Sequence, residues 1–371
     1  MKLLLINYEF PPLGGGAATA TRELAESLCR QGCAVSVVTS KAKGEDDSRS
    51  DTPYKLHRLW TGRRRAESCS LFEMAMFVIV CSLYLPYLLL RERFDGAVLF
   101  FGLPCGWFGP LLKFGFGVPY VVSLRGGDVP GNEPSLNQIH HLLSPARRLI
   151  YQHSKCVTAN SEGLKSKSLL VDSHPVTVIP NGVDCDRFTP IPPDSESENR
   201  ILFVGRLVEQ KNVPGLLKAF ARVGGKAKLD IIGDGPLRLE LHQLVKELQI
   251  EEKVDFHGWV SRDEITDYYL SATMLVLPSR YEGMSNVLLE GMAAGLPCIV
   301  TDVEGTRELI DHERNGLLVG LGDEEGLVRA MDRLLEDRDM RHKLGTNARS
   351  HVVENFSWDK AARSHLSIFE S

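Results

Sequence analysis

The chain predicts an α/β protein built from two doubly wound parallel-sheet domains, and three observations carry that expectation. Its 371 residues exceed what one ordinary core holds. Short apolar strand-like runs alternate with helical stretches along nearly the whole length. The alternation breaks once, in an acidic, turn-rich segment from Asp184 to Asn199 that includes Pro190, Pro192 and Pro193. Domains are therefore expected over 1–183 and 184–355.

The first series opens with Lys2–Asn7 as a strand. Its apolar run is too short for a signal peptide and meets Asn7, Glu9 and Pro11. A helix over Ala17–Arg30 follows, then strands over Cys33–Thr39 and Tyr54–Trp60. Strands at Gly96–Phe101, Pro119–Leu124 and Lys155–Ala159 come next, with helical patterns at 104–115, 139–152 and 161–170. The second series has strands at Arg200–Val204, Lys228–Ile232, Val254–His257, Met274–Leu277 and Cys298–Thr301, with helices between. Repeated strand–helix units imply parallel sheets with helices on both faces.

Leu71–Leu90 is almost wholly apolar and matches the ~20 residues that cross a bilayer. Glu73 and Pro86 interrupt it, and strands expected in one sheet flank it, so it should not span. A buried helix is the first expectation. An interfacial helix, helped by Arg63-Arg64-Arg65 upstream, is the second, because each cation near anionic lipid is worth about 1 kcal/mol.

Composition narrows the function classes. The chain is 43% hydrophobic and 25% charged, as a folded domain should be. A net charge of −5 conceals a small basic excess in the first half, with no basic helix or aromatic–basic interleaving to suit nucleic acid. The eight cysteines contain no Cys-x-x-Cys pair, which favours free thiols in a cytoplasmic setting over a disulfide or zinc framework.

Special residues gather where parallel sheets bind ligands, at the carboxyl ends of strands. Gly14-Gly15-Gly16 follows the first strand, and Arg125-Gly-Gly-Asp128 follows Pro119–Leu124. Gly205-Arg206, Gly233-Asp-Gly235 and the loop carrying Glu282 end three strands of the second series. Five such loops are expected to define one interdomain cleft. Glu282 lies in a strand-to-helix loop, and Glu290 lies eight positions on, in a helix over Asn286–Ala294 capped by Ser285. Carboxylates on either side of a helix N-terminus, itself an anion site, suit a ligand with hydroxyls at both ends of a phosphate. A nucleotide-sugar is such a ligand. Arg206 and Lys211 would neutralise a diphosphate and the charge that grows as a bond to it breaks.

Other residues have blander readings. Trp259, with Val260, either walls a base pocket or is half-buried packing, and His257 reads as structural. Asp184-Cys-Asp186 and Asp337-Arg-Asp339 match Asp-x-Asp but end no core strand, so no metal site is expected. No Ser/His/Asp set has sensible spacing for a hydrolase.

Glu282-Gly-x6-Glu290-Gly-Met-Ala-x-Gly-x-Pro297, Val204-Gly-Arg-Leu207 with Lys211, Val178-Ile-Pro-Asn-Gly-Val-Asp184 and Gly233-Asp-Gly235 together resemble glycosyltransferase family 4. These are the group 1 retaining transferases of GT-B fold, with two Rossmann-like domains. The resemblance is strong over 178–301 and looser over 1–177. It implies that Glu282 sits by the donor sugar and Glu290 holds the ribose hydroxyls. Arg206 and Lys211 would hold the diphosphate, while Gly15, Gly16, Gly205, Gly233 and the stretch Gly283, Met284, Ser285, Asn286 and Val287 would close around the donor. It also implies a C-terminal helix, within 356–371, that returns to the first domain. Family members often carry His-Gly-x-Asp where this chain has Arg125-Gly-Gly-Asp128. An arginine is no base near neutral pH, so Arg125 and Asp128 are expected to act electrostatically.

The expected function is transfer of a hexose-type sugar, with retention and without metal or other cofactor, from a UDP-sugar to a saccharide or lipid-linked acceptor. Cell-surface polysaccharide or glycolipid synthesis fits, in the cytoplasm or at the inner membrane face. The alternatives are a GT-B nucleotide-sugar epimerase and a non-catalytic nucleotide-sugar-binding subunit.

Overall fold

The computed structural model describes residues 1–41, 52–63, 69–131, 137–190 and 199–370, so Arg64, Arg65 and connector residues 191–198 lie outside it. The chain forms two compact units, Met1–Asn181 with Trp358–Ser371, and Gly182–Ser357.

The first unit begins with β1 (Lys2–Ile6), α1 (Gly16–Arg30), β2 (Ala34–Ser40) and β3 (Lys55–Leu59). It continues through α2 (Leu71–Arg91), β4 (Gly96–Phe100) and β5 (Tyr120–Leu124). Then come α3 (Asn137–Leu142), α4 (Ser144–His153), β6 (Cys156–Ala159), α5 (Glu162–Val171) and β7 (Val176–Val178). Its seven strands are parallel in the order β3-β2-β1-β4-β5-β6-β7. Helices on both faces require strands apolar on both sides, and Leu3 to Ile6 and Ala97 to Phe100 are fully buried.

The second unit starts with β8 (Asn199–Val204), α6 (Val213–Phe220), β9 (Ala227–Ile232) and α7 (Arg238–Glu247). It adds β10 (Val254–Gly258), α8 (Arg262–Ser271), β11 (Met274–Leu277), α9 (Asn286–Ala293) and β12 (Cys298–Thr301). It closes with α10 (Glu304–Arg307), β13 (Leu317–Val319), α11 (Glu324–Glu336) and α12 (Arg338–Asn355). These strands are also parallel, in the order β10-β9-β8-β11-β12-β13. Sequence periodicity missed β7 and β13, which are three-residue edge strands too short to show alternation.

The last helix, α13 (Trp358–Glu370), packs on α1 of the first unit. Ser27 Oγ donates to Asp359 Oδ1 at 2.5 Å, and Gln31 Nε2 donates to the Asp359 carbonyl at 2.9 Å. His365 is buried in this packing. Burial, helped by nearby Arg125, lowers its pKa to about 3. The folded state holds His365 neutral, so its contribution is full above the unfolded pKa and is lost as pH falls below about 6.5. Denaturant unfolding should show about 2 kcal/mol less stability at pH 5 than at pH 7.5 from this group. His365→Gln should flatten that slope; an unchanged slope assigns it to other groups.

Three sequence readings need correction. Glu73 and Pro86 stand in the apolar run but do not break the helix. Glu73 completes a capping box with Ser70, and the helix runs on through Pro86 to Arg91. Arg63 is not a lipid-facing cation: it is buried, ion-paired to Glu9 at 3.6 Å, and donates to the Tyr8 carbonyl. Residues 104–115 form a 3-10 turn at Cys105–Phe108 and a π turn at Leu111–Gly115 instead of an α-helix. Pro104, Gly106, Gly109 and Pro110 disfavour a regular helix there.

β3 and β4 flank α2 and lie in one sheet, so α2 does not span a membrane with that sheet intact. One side of α2 buries Phe77, Cys81, Leu85, Leu88 and Leu89; the other exposes Phe72, Ile79, Leu83 and Leu90. The buried-helix expectation holds for one side only, five of the 21 residues. All eight cysteines are free thiols, four of them buried.

Candidate active site

In each sheet the strand order reverses once, between β1 and β4 and between β8 and β11. Such a reversal separates the loops on either side and opens a crevice at the carboxyl ends of the strands. In the second unit those loops are Gly205–Lys211, after β8, and Ser279–Ser285, after β11. They clasp one another. The Arg280 amide donates to the Gln210 carbonyl at 2.8 Å, and Gln210 Nε2 donates to the Tyr281 carbonyl at 2.9 Å. Lys211 Nζ donates to Glu282 Oε1 in a close ion pair. The two side chains are 15% and 8% exposed, so their attraction acts largely out of water. Arg206, at the same mouth, is exposed and has no partner among the described residues.

The start of α9 points its positive end toward this crevice, with Ser285 Oγ accepting from the Leu288 amide at 3.3 Å. Asn286 and Val287 open the helix, and Met284 is buried just before it. Glu290 lies on the same helix, and the buried Tyr269 hydroxyl donates to its Oε2 at 2.8 Å. That bond fixes the rotamer of the Glu290 carboxylate.

Two glycines let the loops approach. A Cβ on Gly233, whose φ is +130°, would stand 1.9 Å from the Gly205 carbonyl oxygen. A Cβ on Gly305, in α10, would stand 1.9 Å from the Gly283 carbonyl oxygen, so α10 backs the Glu282 loop. Gln210, Tyr269 and Gly305 escaped the sequence reading. A glycine soon after β12 was the only available signal, and the other two reveal themselves only through contacts across 71 and 21 positions.

Trp259 is 72% exposed, which removes the packing explanation for it; Val260 beside it is half-buried. His257 is structural: its Nε2 bonds Asp230 at 2.7 Å, and Asp230 also pairs with Arg200. Both Asp-x-Asp matches organise backbone. Asp184 accepts from the Arg187 amide at 3.2 Å, and Asp337 caps α12 through the Met340 amide at 2.8 Å.

In the first unit, Gly15 caps α1 and Gly16 begins it. Nothing lies within 4 Å of where a Gly15 Cβ would stand, so a ligand could meet this backbone directly. Asp128 is buried, and its carboxylate accepts from the amides of Gly102, Arg125 and Gly126 at 2.6, 2.9 and 2.9 Å. It thereby ties the loops after β4 and β5 together. Burial raises its pKa, and the backbone donors pull the other way. Arg125 lies over the Phe100 ring at 4.6 Å and donates through Nη1 to Asn181 Oδ1 at 2.7 Å. Burial lowers its pKa to about 10, and nearby Asp128 opposes the shift, so it stays charged at neutral pH.

Residues 186–351 match the family described as Glycosyl transferases group 1, and residues 15–182 match the Glycosyl transferase 4-like domain. N-acetyl-alpha-D-glucosaminyl L-malate synthase of Bacillus anthracis is 27% identical, over all of this chain and 97% of that protein. An Escherichia coli enzyme named UDP-Gal:alpha-D-GlcNAc-diphosphoundecaprenol alpha-1,3-galactosyltransferase is 29% identical, over 54% of this chain and 56% of its own. Among solved structures, sucrose-phosphate synthase from Thermosynechococcus elongatus superposes with a TM-score of 0.85 at 25% identity, covering 100% of this chain and 98% of that one.

Proposed function

The chain belongs to the group 1 glycosyltransferases and has their GT-B fold, and on that premise we propose that it moves a hexose-type sugar from UDP to a saccharide or lipid-linked acceptor, with retention and without a metal ion. The observation that carries this reading is the clasp of the Arg206–Lys211 and Glu282 loops at the strand-order reversal. It gathers two cations, a carboxylate and a helix N-terminus, as a departing diphosphate and its sugar require. On this reading Arg206 and Lys211 meet the diphosphate charge. Glu282 is engaged by Lys211, which favours departure assisted by the leaving phosphate over attack by a protein nucleophile. A relative bearing GlcNAc-diphosphoundecaprenol in its name supports a lipid-linked saccharide acceptor.

The test is a thermal-shift and donor-hydrolysis panel over UDP-, GDP-, ADP- and dTDP-sugars, with and without EDTA. Stabilisation and slow hydrolysis confined to UDP-sugars and insensitive to EDTA support the reading. Binding without hydrolysis would make the chain a sensor, and loss with EDTA would overturn the metal-free proposal.

A lipid-linked acceptor suits action at the inner membrane face, with α2 in contact. At 100° per residue, Phe72, Ile79, Leu83 and Leu90 fall in one stripe roughly 40° wide. Replacing Ile79 and Leu83 by glutamate should weaken co-sedimentation with phosphatidylglycerol vesicles roughly 100-fold or more, since each buried side chain is worth about 1.5–3 kcal/mol. Donor hydrolysis should not change. Equal sedimentation of variant and wild type overturns the contact.

A further inference from the structure

We propose that the first unit carries a binding pocket for the anionic group, carboxylate or phosphate, of a small acceptor, walled by Arg147, Lys167, His140, His141 and Ser144. The word acceptor rests on the transferase reading above; the anion site does not. A cavity of about 510 Å³ is lined by these residues beside Leu170. Arg147 is 1% exposed, yet only part of its guanidinium is used. Its Nε donates to Asp172 Oδ2 at 2.6 Å and its Nη1 to the His140 carbonyl at 3.0 Å, while Nη2 has no hydrogen-bond partner among the described residues. A buried charged donor left unpaired is costly and calls for an explanation. An anion in the cavity supplies one.

The charge balance favours the same ligand. Asp172 faces two guanidinium groups, because Arg148 Nε also donates to it at 3.2 Å. Among the described residues here, one positive charge is therefore left over, and Lys167 lines the same cavity. The ten-residue helix α4 begins at Ser144 in the same wall, with Leu143 at its N-cap and no side chain capping it.

The position fits an acceptor. His140 Nε2 bonds the Gly127 carbonyl at 2.9 Å. Gly127 lies in the loop after β5 that Asp128 holds, at the carboxyl end of the first sheet, where ligands of parallel sheets sit. An anchored anion would leave the rest of a small molecule, including a nucleophilic hydroxyl, beside that loop.

Calorimetric titration of the full chain with inorganic phosphate, L-malate and glycerol, at matched ionic strength, tests the site. Phosphate and L-malate should bind and glycerol should not. Lys167→Glu, at a half-exposed position that should tolerate the change, should weaken both anions roughly tenfold. Arg147→Lys, which keeps the charge and removes Nη2, should also weaken them if it folds. UDP affinity should be equal in all three proteins. No anion binding by a wild type that binds UDP, or binding indifferent to Lys167→Glu, overturns the pocket. Failure of UDP alone would strike the transferase reading and leave the anion arms to decide the site. In transfer assays, Lys167→Glu should raise KM for glycerol phosphate with kcat little changed, and equal KM values would show that the bound anion is not an acceptor.

Discussion

Lys211→Ala should lower donor turnover by about 10²–10³-fold, as removal of a preorganised donor to a developing oxyanion does elsewhere. It should also destabilise the fold. Lys211 and Glu282 are 15% and 8% exposed, so breaking their pair leaves a mostly buried carboxylate unpaired. Losses of 3–5 kcal/mol accompany such a break in fully buried pairs, and the residual exposure points to about 3 kcal/mol. Two measurements separate the roles: denaturant unfolding, and hydrolysis of UDP-sugar at saturation. Adding Glu282→Gln to Lys211→Ala removes the orphan charge, so stability should recover while turnover stays low. If turnover recovered with stability, the lysine would only position Glu282, and its contact with the diphosphate would be wrong. The double-mutant cycle also yields the coupling energy of the pair.

The two-domain parallel fold was legible because each strand ends in visible punctuation. Gly14-Gly15-Gly16, Gly205-Arg206 and Gly233-Asp-Gly235 break apolar runs where the chain turns toward helices. The candidate residues of the second unit were legible for the same reason, since they crowd into those turns. Their pairing was not. Lys211 and Glu282 were each marked for the donor, but a contact across 71 positions depends on β8 and β11 being neighbours. Tyr269 sits in a helical pattern that gives no hint that its hydroxyl meets Glu290. Arg125 and Arg63 show the limit from the other side. An arginine in a motif or a basic run reads as surface charge, whereas here one is held over Phe100 by Asn181 and the other is buried against Glu9. Burial of a long side chain is decided by what packs over it, and composition does not record that. The apolar stretch of α2 shows a related limit: an almost wholly apolar run has no periodicity that tells a covered face from an exposed one, and only the sheet beneath it decides that.

Arg206→Ala should cut donor turnover about 100-fold while leaving stability within about 0.5 kcal/mol of wild type. The contrast with Lys211 follows from geometry. Both cations were read as one diphosphate clamp, yet Lys211 is bound to Glu282 and half-buried, and Arg206 is exposed with no partner among the described residues. No polar contact with a described residue is lost when its guanidinium is removed, so the effect should come through the ligand. That effect should track phosphate. Calorimetry should find UDP binding weakened by roughly tenfold, as expected for a lost charge-assisted hydrogen bond, and uridine binding unchanged. Arg206→Lys should recover part of the UDP affinity, because the charge returns without the bidentate fork. Should uridine weaken as much as UDP, Arg206 would be contacting the nucleoside, and Lys211 would hold the diphosphate without it.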